Sequence, residues 1–283
     1  MTRPQWLIDL LDDEIVNPIE SDPRTRAAPG TYFGCPQSRV FHEVVEGGQA
    51  DFDASCSIHV GSKPVTVDGP DRALLYAKYN QPGHLIELDH AFGQLFDSAP
   101  SQDATTVLDL GCGPFTAGLA LAARLGPTRP FRYFGVDRAA TMRRLAERLA
   151  GGARARGALH PDTSWSFAAS LSDCRFDRIS WDPRLVVVSY LFASPTLDPT
   201  VLGAELLDAL TRIGRGETAL LYTNSGLPHL NVKWPVLRDQ LVGVGFKVEV
   251  DETEVFNLTR NPRKLRYALL YRPKSSTLTM GGP

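Results

Sequence analysis

The chain has 283 residues, a length typical of one large domain or of one domain with an appended segment. Hydrophobic residues make up 43% and charged residues 22%, a balance that predicts a full globular core rather than a disordered chain. The formal net charge of -2 gives no global signal for binding to nucleic acid or to an anionic membrane. No apolar run approaches the roughly 18 to 20 residues that cross a bilayer. Acidic residues interrupt the apolar N-terminal stretch, which does not resemble a signal peptide, so we expect a cytoplasmic protein without a membrane partner.

Cysteine and histidine spacing bears on metal binding. The sequence has four cysteines with no C-x-x-C pair among them: Cys35, Cys56, Cys112 and Cys174. We therefore expect neither a metal site nor a disulfide framework. Glu87 and His90 form an E-x-x-H step that one side of a helix can present, but a di-metal carboxylate bundle needs a second copy, which the sequence lacks. For these two residues we expect a surface position or a salt bridge.

Residues 1–100 lack a regular alternation of strands and helices. Apolar residues between Trp6 and Ile15 recur at helical spacing, and a second helical stripe runs from Leu85 to Phe96. Between these stripes, the segments SIHV and PVTV are separated by Gly-Ser-Lys and are expected to pair as a hairpin. We predict that residues 1–100 form a mostly helical lid over a substrate site. The apolar face of the first helix would also support a homodimer.

Residues 101–275 show a different pattern, in which short buried strands alternate with helices. The predicted strands are TTVLDL, FRYFGV, SWSFAA, RLVVVSY, ETALLYT, GFKVEV and KLRYALLYR. Alternating strands and helices imply parallel strands with helices on both faces, whereas the last two strands have only a loop between them and should pair antiparallel. The sequence therefore predicts an α/β fold: a doubly wound, Rossmann-like, seven-stranded and mostly parallel sheet that ends in an antiparallel hairpin.

The most informative segment is VLDLGCGPFTAGLAL, from Val107 to Leu121, where a strand leads through a glycine turn into a helix. Gly111 and Gly113 lack the Cβ atoms that would keep a ligand away from the backbone. The free N–H groups at the start of the following helix form a polar, partly positive end. Because open α/β sheets bind ligands beyond the carboxyl ends of their strands, this turn is expected at the binding edge.

Two acidic residues bear on the kind of ligand. Thr116 occupies the place of the third glycine in the dinucleotide fingerprint. Asp109, before the first glycine, would repel a pyrophosphate but suits a ligand with an amino group. Asp137 ends the second strand, where a carboxylate can accept hydrogen bonds from ribose hydroxyls. Together they favour an adenosyl ligand with a cationic arm over NAD.

On these motifs the sequence resembles the class I S-adenosylmethionine-dependent methyltransferase superfamily. The resemblance rests on V-L-D-L-G-C-G-P at 107–114 and G-V-D at 135–137, and it extends from Thr105 to near Tyr271. It implies an enzyme with S-adenosyl-L-methionine as cofactor. Members that act on amide or exocyclic nitrogens often carry Asn/Asp-Pro-Pro-Tyr after the fourth strand. This sequence has SYLFASP there, which makes such acceptors less favoured.

The resemblance also implies roles for individual residues. Matching the first motif, Asp109, Gly111 and Gly113 would contact the amino-acid end of the cofactor, and Asp137 would bind its ribose. Four further candidates would border the adenine: Arg138, Met142, Ser170 and Leu171, with Asp173 as another possibility. Ser189, at the end of the fourth strand, would also contact the cofactor. One of Tyr76 or Tyr79 would close over the carboxylate of the cofactor.

Catalytic candidates come from the ends of the fourth and fifth strands. Tyr190 would lie nearest the transferable carbon, or would simply pack on the strand end. Asn224 and Ser225 end the fifth strand, and His229 follows as a candidate general base, because an imidazole titrates near neutrality. In the N-terminal region, the aromatic loop at Tyr32 and Phe33 and the nearby His42 are candidates for covering the substrate.

The function that we expect is methyl transfer to a small molecule in specialised metabolism, by in-line attack of an O, N or C nucleophile on the sulfonium methyl group. Three alternatives are open. The first is attack on the aminobutyryl arm, by cyclisation or aminocarboxypropyl transfer, with release of methylthioadenosine. The second is RNA methylation, for which six arginines between Arg138 and Arg156 would supply phosphate contacts, although a solvated helix face explains them better. The third is a non-catalytic cofactor-binding module.

Overall fold

A computed structural model describes residues 3–26, 51–60, 62–98, 105–176, 183–214, 216–257 and 262–274. The α-helices are α1 (Gln5–Leu11), α2 (Asn17–Ser21), α3 (Pro23–Arg26), α4 (Gly69–Tyr79), α5 (Gln81–Ser98), α6 (Thr116–Leu125), α7 (Ala140–Ala155), α8 (Pro199–Ile213) and α9 (Trp234–Gly243). A π-helical turn, Asp12–Val16, joins α1 to α2. The strands are β1 (Cys56–Val60), β2 (Lys63–Val67), β3 (Thr105–Leu110), β4 (Phe131–Val136), β5 (Ser164–Ala168), β6 (Arg184–Ser189), β7 (Thr218–Ser225), β8 (Lys247–Phe256) and β9 (Arg263–Arg272).

The main sheet has seven strands in the order β5-β4-β3-β6-β7-β9-β8. Strands β3 to β7 pair in parallel, whereas β9 pairs antiparallel with both β7 and β8. This confirms the predicted doubly wound, Rossmann-like sheet with its antiparallel C-terminal hairpin. The chain moves outward in one direction from β3 to β5 and in the other from β6 to β7. The crevice between the carboxyl ends of β3 and β6 is therefore the topological switch point, where such sheets bind ligands.

Both faces of the sheet are buried, and alternate residues of the central strands supply two separate cores. In β3, Val107 lies in one core and Leu108 in the other. The same alternation holds in β6 for Leu185 and Val186. Burial on both faces is the reason that TTVLDL and RLVVVS have nearly continuous apolar sequences rather than alternating ones.

The N-terminal helices belong to the first of these cores. Leu7, Leu10 and Ile15 are buried in it, and the Leu10 side chain packs so tightly on α7 that a Cβ at Gly152 would lie 2.5 Å from Leu10 Cδ1. The apolar face of α1 is thus used within the chain. That face is therefore not free to form the interface of the predicted homodimer, and the oligomeric state stays a prediction.

Asp53, in the segment before β1, caps the start of α7. The Asp53 carboxylate accepts hydrogen bonds from the backbone N–H groups of Ala140 (2.7 Å) and Thr141 (2.8 Å), and from the Thr141 hydroxyl (2.7 Å). Although burial alone would raise it, these hydrogen bonds lower the pKa of Asp53 below its usual value. A Cβ at Gly69, the first residue of α4, would lie 2.6 Å from Phe52 O and from Thr141 Cγ2. Phe52, Asp53 and Gly69 therefore pack closely against the first turn of α7.

The predicted hairpin is confirmed: β1 and β2 pair antiparallel, with Ile58 opposite Val65, in a separate two-stranded sheet. Within the described ranges no helix is long and apolar enough to cross a membrane. Over the same residues no cluster of three or more His, Cys, Asp or Glu side chains is suited to hold a metal ion. Cys56, Cys112 and Cys174 are free thiols.

The arginines of α7 make contacts within the protein. Arg143 donates to the backbone carbonyl of Arg138 at 2.8 Å, and Arg156 pairs with Asp13. The guanidinium of Arg154 lies 4.4 Å from the centre of the Trp165 ring, a cation–π contact. Arg144, Arg148 and Arg154 are exposed, so these contacts are made along a solvent-facing side of the helix.

Candidate active site at the carboxyl edge of the sheet

The glycine turn after β3 requires glycine at two positions. Gly111 and Gly113 have φ angles of +72° and +51°, in the left-handed region that glycine adopts without strain. The N–H groups of Gly111 and Cys112 both donate to Val136 O, at 2.8 and 3.0 Å, and this joins the turn to the end of β4. A Cβ at Gly111 would lie 2.9 Å from Leu191 Cδ1. The turn is therefore shaped both by its backbone conformation and by its close neighbours.

Phe115, which precedes α6, is a non-glycine residue in the left-handed region, with φ of 63°. Its ring is fully buried, lies over Gly118 and packs edge-on against Tyr133 with ring centres 4.7 Å apart. A Cβ at Gly118 would lie 1.9 Å from Phe115 Cε2. Such a conformation persists only where the surroundings enforce it, and here this aromatic packing fixes the start of the helix.

Asp137 lies at the end of β4, as the sequence predicted, and binds the glycine turn. Its Oδ2 accepts a hydrogen bond from Gly113 N at 3.0 Å and its Oδ1 accepts one from Ala139 N at 2.9 Å. Burial raises the pKa of Asp137, while these two backbone hydrogen bonds oppose that shift. A carboxylate has about four acceptor positions, so the two oxygens retain capacity for two further hydroxyl donors.

Asp109 lies beneath the turn and is almost fully buried, with 2% of its surface exposed. The Tyr133 hydroxyl donates a hydrogen bond to its Oδ2. Burial raises the pKa of Asp109 to about 7; the Tyr133 hydrogen bond opposes this shift and the negative charge of Asp137 adds to it. A cationic group beside Asp109 would stabilise the ionised carboxylate.

Tyr76 reaches the glycine turn from the lid. A Cβ at Gly113 would lie 3.9 Å from Tyr76 Cε1, so the ring borders the turn. Burial raises the pKa of the Tyr76 hydroxyl, and the nearby charges of Asp137, Asp109 and Glu87 raise it further. Tyr76 therefore lies beside the glycine turn, and its closure over a cofactor carboxylate stays a prediction. Tyr79, the other candidate, packs against the first core.

The structure brings His84 and Glu87 of α5 to Tyr190, a grouping that the sequence analysis missed. The His84 and Tyr190 rings stack with centres 3.8 Å apart and planes 19° apart. The Tyr76 hydroxyl lies 3.4 Å from His84 Nδ1, and Tyr190 Oη donates to Glu87 Oε1 at 3.2 Å. The surface position expected for Glu87 is wrong, because its side chain is fully buried. The salt bridge expected for His90 is present, 3.5 Å from Glu254.

A polar residue within an apolar helical stripe was the signal available for these two residues. Glu87 stands between Ile86 and Leu88, and His84 precedes it by one helical turn. The E-x-x-H comparison paired Glu87 with His90, whereas the side chain that shares its site is His84.

Asn224, predicted as catalytic, holds the loop after β7. Its Nδ2 donates to Tyr222 Oη and to Leu230 O, both at 3.0 Å, and its Oδ1 accepts from Ser225 N at 2.9 Å. The residue is fully buried. These contacts use both amide hydrogens, so its observed role is to shape the loop. His229 is exposed in a short 3-10 turn of the same loop.

The other predicted cofactor residues differ in exposure. Ser189 Oγ accepts from Thr223 Oγ1 at 2.9 Å, and Arg138 is exposed and donates to Thr196 Oγ1 at 3.0 Å. Ser170 Oγ hydrogen-bonds to Asp173 Oδ2 at 2.7 Å, beyond the end of β5. Two of the candidates are buried core residues: Leu171 and Met142. Tyr32, Phe33 and His42 lie outside the described residues.

A doubly wound sheet with a glycine turn at its switch point and an acid at the end of the next strand is an arrangement in which α/β proteins commonly bind nucleotides or nucleosides. No protein-family model matches the chain, and no curated protein matches it. Solved structures match it at the level of the fold. One is an S-adenosylmethionine-dependent methyltransferase from Methanosarcina mazei, with 18% identity, a TM-score of 0.43, and coverage of 64% of this chain and 98% of that one.

Two other matching structures have similar scores. A methyltransferase from Aquifex aeolicus that depends on S-adenosylmethionine has 17% identity and a TM-score of 0.46, covering 71% of this chain and 97% of its own. Magnesium protoporphyrin IX methyltransferase from Synechocystis, solved with bound S-adenosylmethionine, has 16% identity and a TM-score of 0.42. That match covers 72% of this chain and 83% of the other.

Proposed function

We propose that the protein is an S-adenosyl-L-methionine-dependent methyltransferase that acts on a small molecule. The observation that supports the proposal is the hydrogen bond from Gly113 N to Asp137, by which a carboxylate lies directly beside the glycine turn at the switch point. Following the sequence analysis, we also propose that the enzyme acts in specialised metabolism and in the cytoplasm.

The residues at this edge fit the proposed cofactor. Asp137 retains acceptor capacity for ribose hydroxyls, and Asp109 offers a buried carboxylate to an amino group. Gly111 and Gly113 allow close approach to the backbone, and Tyr76 borders the turn from the lid. Arg138 and Ser170 remain candidates for the adenine end, whereas the buried Met142 and Leu171 are not included. When bound, the cofactor supplies a methyl group already activated by its sulfonium charge.

The protein itself would contribute alignment and exclusion of water. Gln81, at the start of α5, is fully buried and donates from Nε2 to Pro114 O at 2.9 Å, so the lid is bonded directly to the glycine turn. Orientation of two reactants can account for roughly 7 to 11 kcal/mol of a bimolecular barrier. A covered site of this kind favours a small acceptor over RNA.

The first experiment is isothermal titration of the purified protein with S-adenosylmethionine, followed by mass spectrometry of the products. We expect binding in the wild type and at least tenfold weaker binding in Asp137→Ala, because the ribose hydroxyls lose their acceptor. Asp162→Asn, which changes an exposed carboxylate, serves as the matched control. Absence of binding in the wild type would refute the proposal.

The product identifies the reaction. S-adenosylhomocysteine formed with a small acceptor would support methyl transfer, whereas methylthioadenosine formed without an acceptor would indicate attack on the aminobutyryl arm. Tight binding with the cofactor unchanged across an acceptor panel would indicate a non-catalytic binding module. Methylation of RNA alone would replace the small-molecule proposal.

A further inference from the structure

The pair formed by Glu87 and Tyr190 lies between the lid helix α5 and the carboxyl end of β6. Its hydrogen bond is 3.2 Å long, and the Glu87 side chain is fully buried. Burial of an ionisable carboxyl group is costly and is usually offset by a specific partner or a functional role. The proposed cofactor contacts account for Asp109 and Asp137, but they leave the role of Glu87 unexplained.

Tyr190 is held firmly in this pair. It is the second non-glycine residue with a left-handed backbone among the described residues, with φ of 57°. Its N–H donates to Thr223 O at 2.9 Å, and its ring stacks on His84. A backbone in this region costs free energy and tends to occur at functional sites. The result is a phenol oxygen fixed at the end of β6, next to the strand that carries the glycine turn.

The surroundings of the pair suit a cation. Tyr76, His84 and Tyr190 are in consecutive ring or hydrogen-bond contact, and Tyr190 is hydrogen-bonded to the buried Glu87 carboxyl. The charges of Glu87, Asp109 and Asp137 all act on the Tyr76 hydroxyl. Aromatic faces combined with negative charge attract ammonium groups and disfavour anionic acceptors.

We propose that Tyr190 and Glu87 together remove the proton from an ammonium group whose nitrogen is the attacking nucleophile. This inference rests on the proposed function. The N–H proton passes to Tyr190 Oη while the proton of Tyr190 passes to Glu87 Oε1. The nitrogen lone pair then forms an N–C bond, and the C–S bond breaks with its electron pair left on sulfur. Tyr190 contacts the nucleophile, and Glu87 acts through Tyr190.

The attacking nitrogen has two sources with the same chemistry. In an amine acceptor it would attack the methyl carbon and give S-adenosylhomocysteine. In the amino group of the cofactor itself it would attack the γ-carbon of the aminobutyryl arm and give methylthioadenosine. A reaction mixture with no acceptor distinguishes these sources.

Several other titratable groups face the pair and must be considered in its pH dependence. His84 lies on the same helix, Tyr76 on α4, and Asp109 and Asp137 at the ends of β3 and β4. Arg3 is a further charged group at the start of the same helix, where its Nη2 donates to Pro82 O at 2.8 Å. The test therefore compares the pH profiles of variants with that of the wild type.

The decisive variant is Glu87→Gln, which keeps the size of the side chain and still accepts the Tyr190 hydrogen bond but cannot take up a proton. Tyr190→Phe removes the relay by a different change and guards against a folding defect in the first variant. Glu205→Gln, an exposed carboxylate on α8, is the matched control. For each protein we would measure the Kd for S-adenosylmethionine, and kcat and KM from pH 5 to 10, with amines, alcohols, carboxylates or no acceptor.

We expect kcat to fall about 10²- to 10⁴-fold in Glu87→Gln and Tyr190→Phe, with the Kd changed less than threefold. The limb on which the wild-type kcat rises with pH should disappear in Glu87→Gln and persist in Glu205→Gln. Products should form with amines or with no acceptor. Turnover of alcohols or carboxylates but not amines, an unchanged pH profile in Glu87→Gln, or bound cofactor that never reacts would overturn the inference. Failure of the wild type to bind S-adenosylmethionine would instead refute the proposed function.

Discussion

The buried carboxyl of Asp109 should make the stability of the ligand-free protein depend on pH, and Asp109→Asn isolates that dependence. The folded-state pKa of about 7 is raised above the ordinary value of 3.8, so the folded protein holds this proton through a pH range in which the unfolded chain has lost it. The sign follows from linkage: stability contributed by the protonated carboxyl is complete below the unfolded pKa and is lost as the pH rises toward 7. Asn keeps the shape and can accept the Tyr133 hydrogen bond, but it carries no charge at any pH.

The size of the effect follows from the displacement of the pKa. Each unit corresponds to about 1.4 kcal/mol, so between pH 5 and pH 8 the wild type should lose on the order of 3 kcal/mol relative to Asp109→Asn. Urea unfolding at pH 5, 6, 7 and 8 without ligand gives this difference directly, because contributions from other groups cancel between the two proteins. Glu205→Gln retains Asp109 and should follow the wild type, so the difference in the free energy of unfolding between these two proteins should stay constant from pH 5 to pH 8. A difference between wild type and Asp109→Asn that stays constant from pH 5 to pH 8 would contradict the argument that burial raises this pKa.

Three further predictions concern ligand binding and packing. The affinity for S-adenosylmethionine should rise up to about tenfold per pH unit between pH 6 and pH 7 and then level off, because the cationic group of this ligand needs ionised Asp109. Titration calorimetry should find no such pH dependence in Asp109→Asn. Asp53→Ala should lower the free energy of unfolding, measured in urea, by about 1 to 2 kcal/mol because the N–H groups at the start of α7 lose their acceptor. Asp53→Asn keeps an acceptor oxygen and should retain most of this free energy. An equal loss in both variants would contradict a capping role. Gly118→Ala should lower the free energy of unfolding by about 1 to 3 kcal/mol, because the new Cβ displaces the Phe115 ring. Gly151→Ala in α7, where a Cβ meets open space, should instead raise the free energy of unfolding by about 0.5 to 1 kcal/mol. A stabilised Gly118→Ala protein would show that the ring is free to move.

The fold could be predicted because strand burial leaves a direct mark in the sequence. The segments TTVLDL and RLVVVS are apolar throughout since both faces of the sheet are covered, and the loop between β8 and β9 is too short for a crossover helix. The glycine turn and Asp137 could likewise be placed, because each follows a strand directly.

The contacts of the lid could not be predicted in this way. Whether Glu87 faces solvent or Tyr190 depends on how α5 packs against the end of β6, and these elements are far apart in the chain. Asn224 looked available for catalysis from its place at the end of β7, but its amide is used by Tyr222 and Leu230. Residue type and strand position locate the edge of a site, while the choice among its side chains is made by tertiary packing.

The contact between Asp53 and the start of α7 has a consequence for how such a site can diverge. Helix α7, whose first turn is capped by Asp53, begins just after Asp137 and Arg138. The N-terminal segment that contains Asp53 and the carboxylate of Asp137 are therefore both fixed to the same short stretch of backbone. An insertion or deletion between Asp137 and Thr141 would displace both at once. Under the proposed function, changes of acceptor preference are therefore easier to acquire by substitutions on α4 and α5 than by changes in the length of this loop.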